Sequence, residues 1–273
     1  MDRQVIADLA GEYVKTAKEN RIAEEVALCP RVVNMRIFDQ PLFAFGAADD
    51  PLFYDLKEAG AVGEHHFLPV DWLPQAKTVI SFFLPFTNVV KQSNYEDLFT
   101  PSPEWLHARI EGHMFINQLC RYLQEQLEKA GYQTVVPTLD RRFWKRSDKT
   151  DNFFSSNWSE RHVGYVCGLG TFGLSKAIIT EKGTAGRIGS LVTELRVEPD
   201  KRKYKELYEY CTMCGSCTKR CPVNAISLEN GKDHIPCYGF LQNTGIRYQP
   251  RYGCGKCQVK VPCENRIPPR INK

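Results

Sequence analysis

The stretch CTMCGSCTKRCP, residues 211–222, decides how this chain is read. Its cysteines, Cys211, Cys214, Cys217 and Cys221 followed by Pro222, are spaced C-x2-C-x2-C-x3-C-P, the spacing by which thiolates grip [4Fe–4S] cubanes. The first three wrap a short backbone arc around one cubane. The fourth points away from that arc, toward a second centre. Three thiolates therefore need one distant partner, and Cys221 needs three.

The rest of the C-terminal segment supplies that arithmetic. Cys254 and Cys257 form a C-x2-C pair, Cys237 adds one ligand, and Cys263 remains. The expected sets are Cys211, Cys214, Cys217 and Cys263 for one cluster, and Cys221, Cys237, Cys254 and Cys257 for the other. The interval from Cys257 to Cys263 is longer than the usual three-residue spacing, which leaves room for a looser loop or a different second centre. A zinc ribbon is the plain alternative, but a ribbon is built from two C-x2-C pairs, not from four tandem cysteines ending in proline. Cys29, Cys120 and Cys167 lie outside the module and read as buried packing residues.

The chain has 273 residues, 42% hydrophobic and 11% aromatic, which fits a folded protein with one large core and a small appended unit. We expect a boundary between residues 198 and 199, with 1–198 as an α/β body and 199–273 as a ferredoxin-like unit. The formal charge of +4 treats every cysteine as neutral. Two thiolate-held clusters of about −2 each would cancel it, so the charge gives no reason to invoke nucleic acid as a partner. The N-terminus is charged from Asp2 and reads as no signal peptide. The longest apolar run, Val79 to Phe86, is too short to cross a bilayer. The expectation is a soluble cytoplasmic protein, in which clustered thiols serve metals before disulfides.

Helical spacing of Val5, Ile6, Leu9, Ala10, Tyr13, Val14 and Ala17 predicts a helix over 3–18. Residues 31–38 read as a strand, 39–51 as a turn-rich segment, and 51–58 as a short helix capped by Asp49 or Asp50. Residues 77–84 predict a buried central strand, 104–130 a long helix stopped by Gly131, and 133–136 a strand. Residues 140–160 read as a long loop or lid. Two further strands, 176–180 and 187–195, flank the turn 181–186.

A ferredoxin alone needs none of the first 200 or so residues, so these should hold the place where electrons are used. The segment SERHVGYVCGLGTFGLSKAIITEKGTAGRIGSLVTEL, residues 159–195, crowds Gly164, Gly168, Gly170 and Gly173 together. Glycines let backbone approach a large planar or phosphate-bearing ligand closely, although a tight turn between core elements explains them equally well. The order LPQAKTVISFFLPF (73–86), ERHVGYVCGLGTFGLSKAIIT (160–180), GRIGSLVTEL (186–195) and the eight-cysteine module resembles the cobalamin-dependent epoxyqueuosine reductases and, more distantly, the reductive dehalogenases.

That resemblance implies a nitroreductase-like α/β domain holding cobalamin beside a two-cluster ferredoxin-like domain. It implies cofactor contacts from Gly168, Gly170, Thr171, Phe172, Gly173, Leu174 and Ser175, although Leu174-Ser175 replaces the family's Lys-Asn. It also implies a ferredoxin or flavodoxin as electron donor and a small substrate, or a corrinoid, as what is reduced. The family's aspartate proton donor has no counterpart at the matching offset; Asp151 lies three residues upstream of it. Glu160, His162 and Tyr165 are the candidate acids. The helical repeats that grip transfer RNA in the epoxyqueuosine enzymes do not follow the clusters. A protein that passes electrons to a partner without substrate chemistry is the alternative from another class, and a flavin in the same pocket is a third.

Arg141, Arg142, Lys145 and Arg146 interleave with Phe143 and Trp144, as in a nucleotide-stacking surface or a solvated basic loop. His65-His66 lacks a spaced partner for a metal, and His107 and His113 do not share a helix face cleanly.

Overall fold

The computed structural model describes residues 1–145 and 155–269. The first element is helix α1 (Arg3–Thr16), started by the Asp2 side chain accepting from the Val5 N–H at 3.0 Å. Its stripe Ile6, Ala10 and Val14 is buried. Strand β1 (Leu42–Ala47), short helices α2 (Leu52–Asp55) and α3 (Pro69–Trp72), and strand β2 (Thr78–Pro85) follow. Helix α4 (Asn88–Ser93) leads to the long α5 (Pro103–Lys129), which is capped by Ser102 and ends before Gly131 in the left-handed region at φ 91°. Then come β3 (Thr134–Val135), α6 (Glu160–Cys167), β4 (Gly170–Phe172), β5 (Ile178–Thr180) and β6 (Gly186–Thr193). The C-terminal unit contains α7 (Ser216–Lys219), β7 (Ile226–Ser227), β8 (Gly231–Lys232) and α8 (His234–Arg247).

Four strands form one sheet in the order β1-β2-β6-β3, and every neighbouring pair is antiparallel. β2 is buried along its whole length, as its unbroken apolar run requires. Successive side chains leave opposite faces, so Ile80, Phe82 and Leu84 join a core with α1 and α5. Val79 and Phe83 join a second core with Val163 and Val166 of α6 and the indoles of Trp72 and Trp158. The result is helices on both faces of an antiparallel sheet.

Two expectations fail here for local reasons. Residues 31–38 are not a strand: Pro30–Val32 is a 3-10 turn and Asn34 takes φ 61°. Only isolated bridges remain, Arg21 to Arg36 and Phe38 to Phe86. The strand lies instead at 42–47, inside the stretch read as turn-rich. Its small residues have a packing purpose: a Cβ on Gly46 would stand 2.9 Å from Cys167 Sγ, so glycine lets α6 lie close on the sheet. The two strands expected on either side of the turn 181–186 do form, β5 pairing with β4 and β6 with β2 and β3.

The C-terminal unit is bound to the body by many specific contacts. Asp200 pairs with Arg3 at 2.5 Å and accepts from the Phe45 N–H, while its own N–H donates to the Phe45 carbonyl. Arg251 pairs with Glu111 on α5, and Tyr95 donates to Glu264 at 2.6 Å. Thr184 N–H donates to the Cys263 carbonyl at 2.9 Å. Among the described residues no helix is long and apolar enough to cross a membrane.

Candidate iron–sulfur and substrate site

All eight cysteines of the C-terminal unit are free thiols, and the fold gathers them around two adjacent cavities. Gly215, in the left-handed region at φ 71°, turns the chain into α7, which carries Cys217. Cys211, Cys214, Cys217 and Cys263 line one small cavity, closed by Ile179, Val261 and Pro262. Cys221, Cys237, Cys254 and Cys257 line a part of a second and much larger cavity. Cys237 reaches it from the first turn of α8, whose N-terminus is capped by Asp233. The Ala225 N–H donates to Cys221 Sγ at 3.2 Å.

The electrostatics of the thiols follow from this crowding. Burial, and then repulsion from Cys211, Cys217 and Cys214, pushes Cys263 up to about 12. Burial, with Cys257 and Cys237 adding to it, does the same to Cys254. Cys217 is raised by burial and then by Cys257 as well as by Cys211 and Cys214 of its own set. So many thiolates cannot coexist without cations to hold them, and a bound metal cluster supplies those cations. Cys214 is the exposed member, and hydrogen bonds from Ser216 outweigh its desolvation and lower it. The donor chemistry, four thiols at each cavity, fits iron–sulfur clusters.

The large cavity, about 450 Å³, runs from the Cys221, Cys237, Cys254 and Cys257 set to the N-terminus of α6. Phe83, Phe86, Trp105, Ile178 and Ile188 form apolar walls. Arg109, Arg161 and Arg187 line it with one carboxyl, Glu160, and none of these arginines makes a salt bridge among the described residues. Burial lowers Arg187 to about 10, with Arg109 adding repulsion. Glu160 is bonded on one side to Ser190, whose hydroxyl also takes the Trp158 Nε1–H at 2.9 Å. Its Oε2 is buried without a partner, and burial pushes the carboxyl up to about 8. Arg109 Nε is likewise buried and unpartnered. Apolar walls with a few polar residues among them fit a large organic ligand.

The other sequence candidates are dispersed around this cavity. His162 packs at a tilt against Phe172, ring centroids 4.8 Å apart, and its Nδ1 contacts Ser159 Oγ at 2.7 Å. Burial lowers it to about 3, so it is neutral near pH 7. Tyr165 packs against Tyr204 at 5.1 Å, with its hydroxyl turned to the Lys205 carbonyl at 3.4 Å. Neither lines the large cavity; Glu160 does. Ser175 lines both cavities, and Gly173 and Leu174 line the small one. Gly168, Gly170, Thr171 and Phe172 line neither, and a Cβ on Gly170 would fall 1.9 Å from the Ile179 carbonyl oxygen, which accounts for that glycine by strand pairing. Asp151 and Arg146 lie outside the described residues.

The basic loop is tied down where it is described: Arg142 chelates Asp140 and donates to the carbonyls of Asp71 and Trp72. His66 is buried and its Nε2 accepts from the Ser159 N–H at 3.2 Å. Cys120 and Cys167 are buried as expected, whereas Cys29 is half-buried. The cationic wall was not foreseen. Arg109 and His113 stand one turn apart on α5 and both line the cavity, a spacing visible in the sequence. Arg187 carried no such signal.

The cysteine loop is seated by one glycine. Gly255 has φ 68°, and a Cβ there would fall 1.9 Å from Trp105 Cε2 and Cζ2. Gly255→Ala is expected to destabilise the chain by on the order of 3 kcal/mol or more, since neither backbone nor indole can yield cheaply. Thermal unfolding of the anaerobically prepared variant checks this, and a Tm equal to that of the unsubstituted protein contradicts it.

Comparison with known proteins agrees with the geometry. Residues 205–227 match the 4Fe-4S binding domain family, so the chain carries a [4Fe–4S]-binding module. Over 63 residues it is 40% identical to a tetrachloroethene reductive dehalogenase of Desulfitobacterium hafniense, covering 23% of this chain and 11% of that protein. Over 114 residues it is 31% identical to the epoxyqueuosine reductase of Staphylococcus aureus, covering 38% of this chain and 29% of that one. A solved epoxyqueuosine reductase superposes with a TM-score of 0.54 at 19% identity, over 96% of this chain and 66% of its own. A catabolic reductive dehalogenase in complex with 3-bromo-4-hydroxybenzoic acid gives 0.54 at 14% identity, over 97% and 36%. The chain thus has the fold of the epoxyqueuosine reductases and reductive dehalogenases and is similar to both in sequence. Its matches span only a minor part of the length of these curated relatives.

Proposed function

We propose that this protein is a cytoplasmic iron–sulfur oxidoreductase that uses two [4Fe–4S] clusters and a corrinoid to reduce a small substrate. Residues 1–198 would hold the corrinoid and substrate, and residues 199–273 would carry the electrons. Cys211, Cys214, Cys217 and Cys263 would hold the outer cluster, and Cys221, Cys237, Cys254 and Cys257 the inner one. The observation that carries this reading is the shared cavity: the four inner cysteines and Glu160, the one carboxyl of its lining, border the same space. When bound, the clusters supply one-electron carriers and the corrinoid a nucleophilic metal that no side chain can replace.

The chain's own residues divide the remaining work. Cys214 is the exposed thiol, so a low-potential ferredoxin or flavodoxin would deliver electrons at that end. Phe83, Phe86 and Trp105 exclude water from the large cavity, and Ser175 sits where the two cavities meet. Glu160, held protonated by burial, keeps a proton at Oε2 for the substrate. Arg109, Arg161 and Arg187 offset negative charge that collects there.

Anaerobic protein mixed with cobalamin tests this reading. Tight binding seen in the visible spectrum is expected, together with reductant-dependent turnover of an epoxide or an aryl halide. Iron-loaded protein that takes up no cobalamin contradicts it and favours a carrier that hands electrons to a partner.

A further inference from the structure

Lys256 lies between two cysteines of the inner set and is only 1% exposed. Its ammonium donates to the Asn94 carbonyl at 3.1 Å and to Asn94 Oδ1 at 2.7 Å, and it makes no salt bridge among the described residues. Arg220, next to Cys221, donates through Nη2 to the same carbonyl at 3.1 Å and through Nη1 to Tyr95 O at 2.8 Å. Two cations thus meet at the C-terminal end of α4, and Lys256 acts on Cys254 of the inner set. The carboxylate acting on Lys256 is Asp97, an exposed side chain already held by the Phe99 and Thr100 N–H groups. Cations buried without a carboxylate are costly unless another negative charge compensates them.

The outer set has an acid as the sequence neighbour of one of its cysteines. Glu264, next to Cys263 and 5% exposed, accepts from Tyr95 and from the Lys260 N–H. The buried cation acting near it is Lys91, whose own hydrogen bond goes to Asn265. Lys260 is turned outward to Glu96 at 3.5 Å.

We propose that Lys256 and Arg220, set against Glu264, build an electrostatic gradient that makes the inner cluster the easier one to reduce and so draws electrons inward. This rests on the two-cluster reading above. One electron leaves the reduced outer cluster, which is oxidised, and arrives at the oxidised inner cluster, which is reduced. The low-potential donor protein then re-reduces the outer one. A cation near a cluster favours the form carrying the extra negative charge, and a carboxylate disfavours it.

The experiment is an anaerobic redox titration of the cluster-loaded protein followed by electron paramagnetic resonance. The outer signal is assigned with Cys237→Ser, and iron is counted in every sample. Unsubstituted protein should reduce its inner cluster first. Lys256→Met should lower the inner cluster's reduced-to-oxidised ratio at fixed potential about tenfold, 59 mV for one electron, and leave the outer cluster in place. Lys256→Arg should restore the ratio, and Glu264→Gln should favour reduction of the outer cluster. Should Lys256→Met lose iron, Arg220→Gln gives the same reading of the inner cluster. An inner potential unmoved in whichever of these two keeps its iron, or an equal shift of both clusters, overturns the gradient. Unsubstituted protein with fewer than two clusters instead overturns the reading on which it rests.

Discussion

Cys237→Ser is expected to halve the iron of the anaerobically reconstituted protein, from about eight atoms per chain to about four. Cys263→Ser is expected to do the same by emptying the other set. The two variants should differ in what survives. Cys237 reaches the large cavity from α8, so its loss should leave the cluster at the exposed end and cut it off from the substrate space. Cys263 lines the small cavity with Cys211, Cys214 and Cys217, so its loss should leave the inner cluster without a supply of electrons. Both variants should lose donor-driven turnover by at least about a hundredfold, because neither leaves an unbroken path. Iron and sulfide assays with paramagnetic resonance check this. Iron falling equally to zero in both would mean that the eight thiols do not divide as the two cavities suggest.

Glu160→Gln should give the second large effect. The carboxyl is pushed up to about 8 by burial, so it carries its proton at neutral pH. As a donor it serves below that value, and turnover should fall as pH rises through about 8. The glutamine variant should lose on the order of 10² to 10³ in kcat and lose this alkaline limb. Stability carries the same signature. Folding raises this group's pKa above its ordinary 4.5, so between there and about 8 the folded chain holds a proton that the unfolded chain has released. Stability contributed at low pH is therefore lost as pH rises through that window, and Glu160→Gln should flatten the dependence. An unchanged pH–rate profile in the variant would remove Glu160 from the proton path.

The cysteine module was the most legible part of the chain, because its spacing is tied to the size of the cubane and to nothing else in the fold. The long helix 103–129 and the buried strand 78–85 were legible for a similar reason: their apolar patterns are long enough to average over local exceptions. The strand 42–47 was hidden because Ala44 and Gly46 are chosen for contact with α6 and not for strand propensity. Residues 31–38 misled in the opposite sense, since β-branched residues sit there in a turn closed by Asn20, which accepts from Phe38 N at 2.9 Å. Among the candidate acids, Glu160, His162 and Tyr165 share one short helix, and only the fold tells which of them faces the cavity. Arg187 reaches the cavity from a strand whose register the sequence alone does not set.

The most direct test of the central claim is metal analysis of the protein made and purified without oxygen, read together with its paramagnetic resonance spectrum after reduction. The expected result is about eight iron and eight sulfide per chain, brown protein, and the spectrum of two interacting reduced cubanes. Colourless protein holding zinc and no iron would contradict the account.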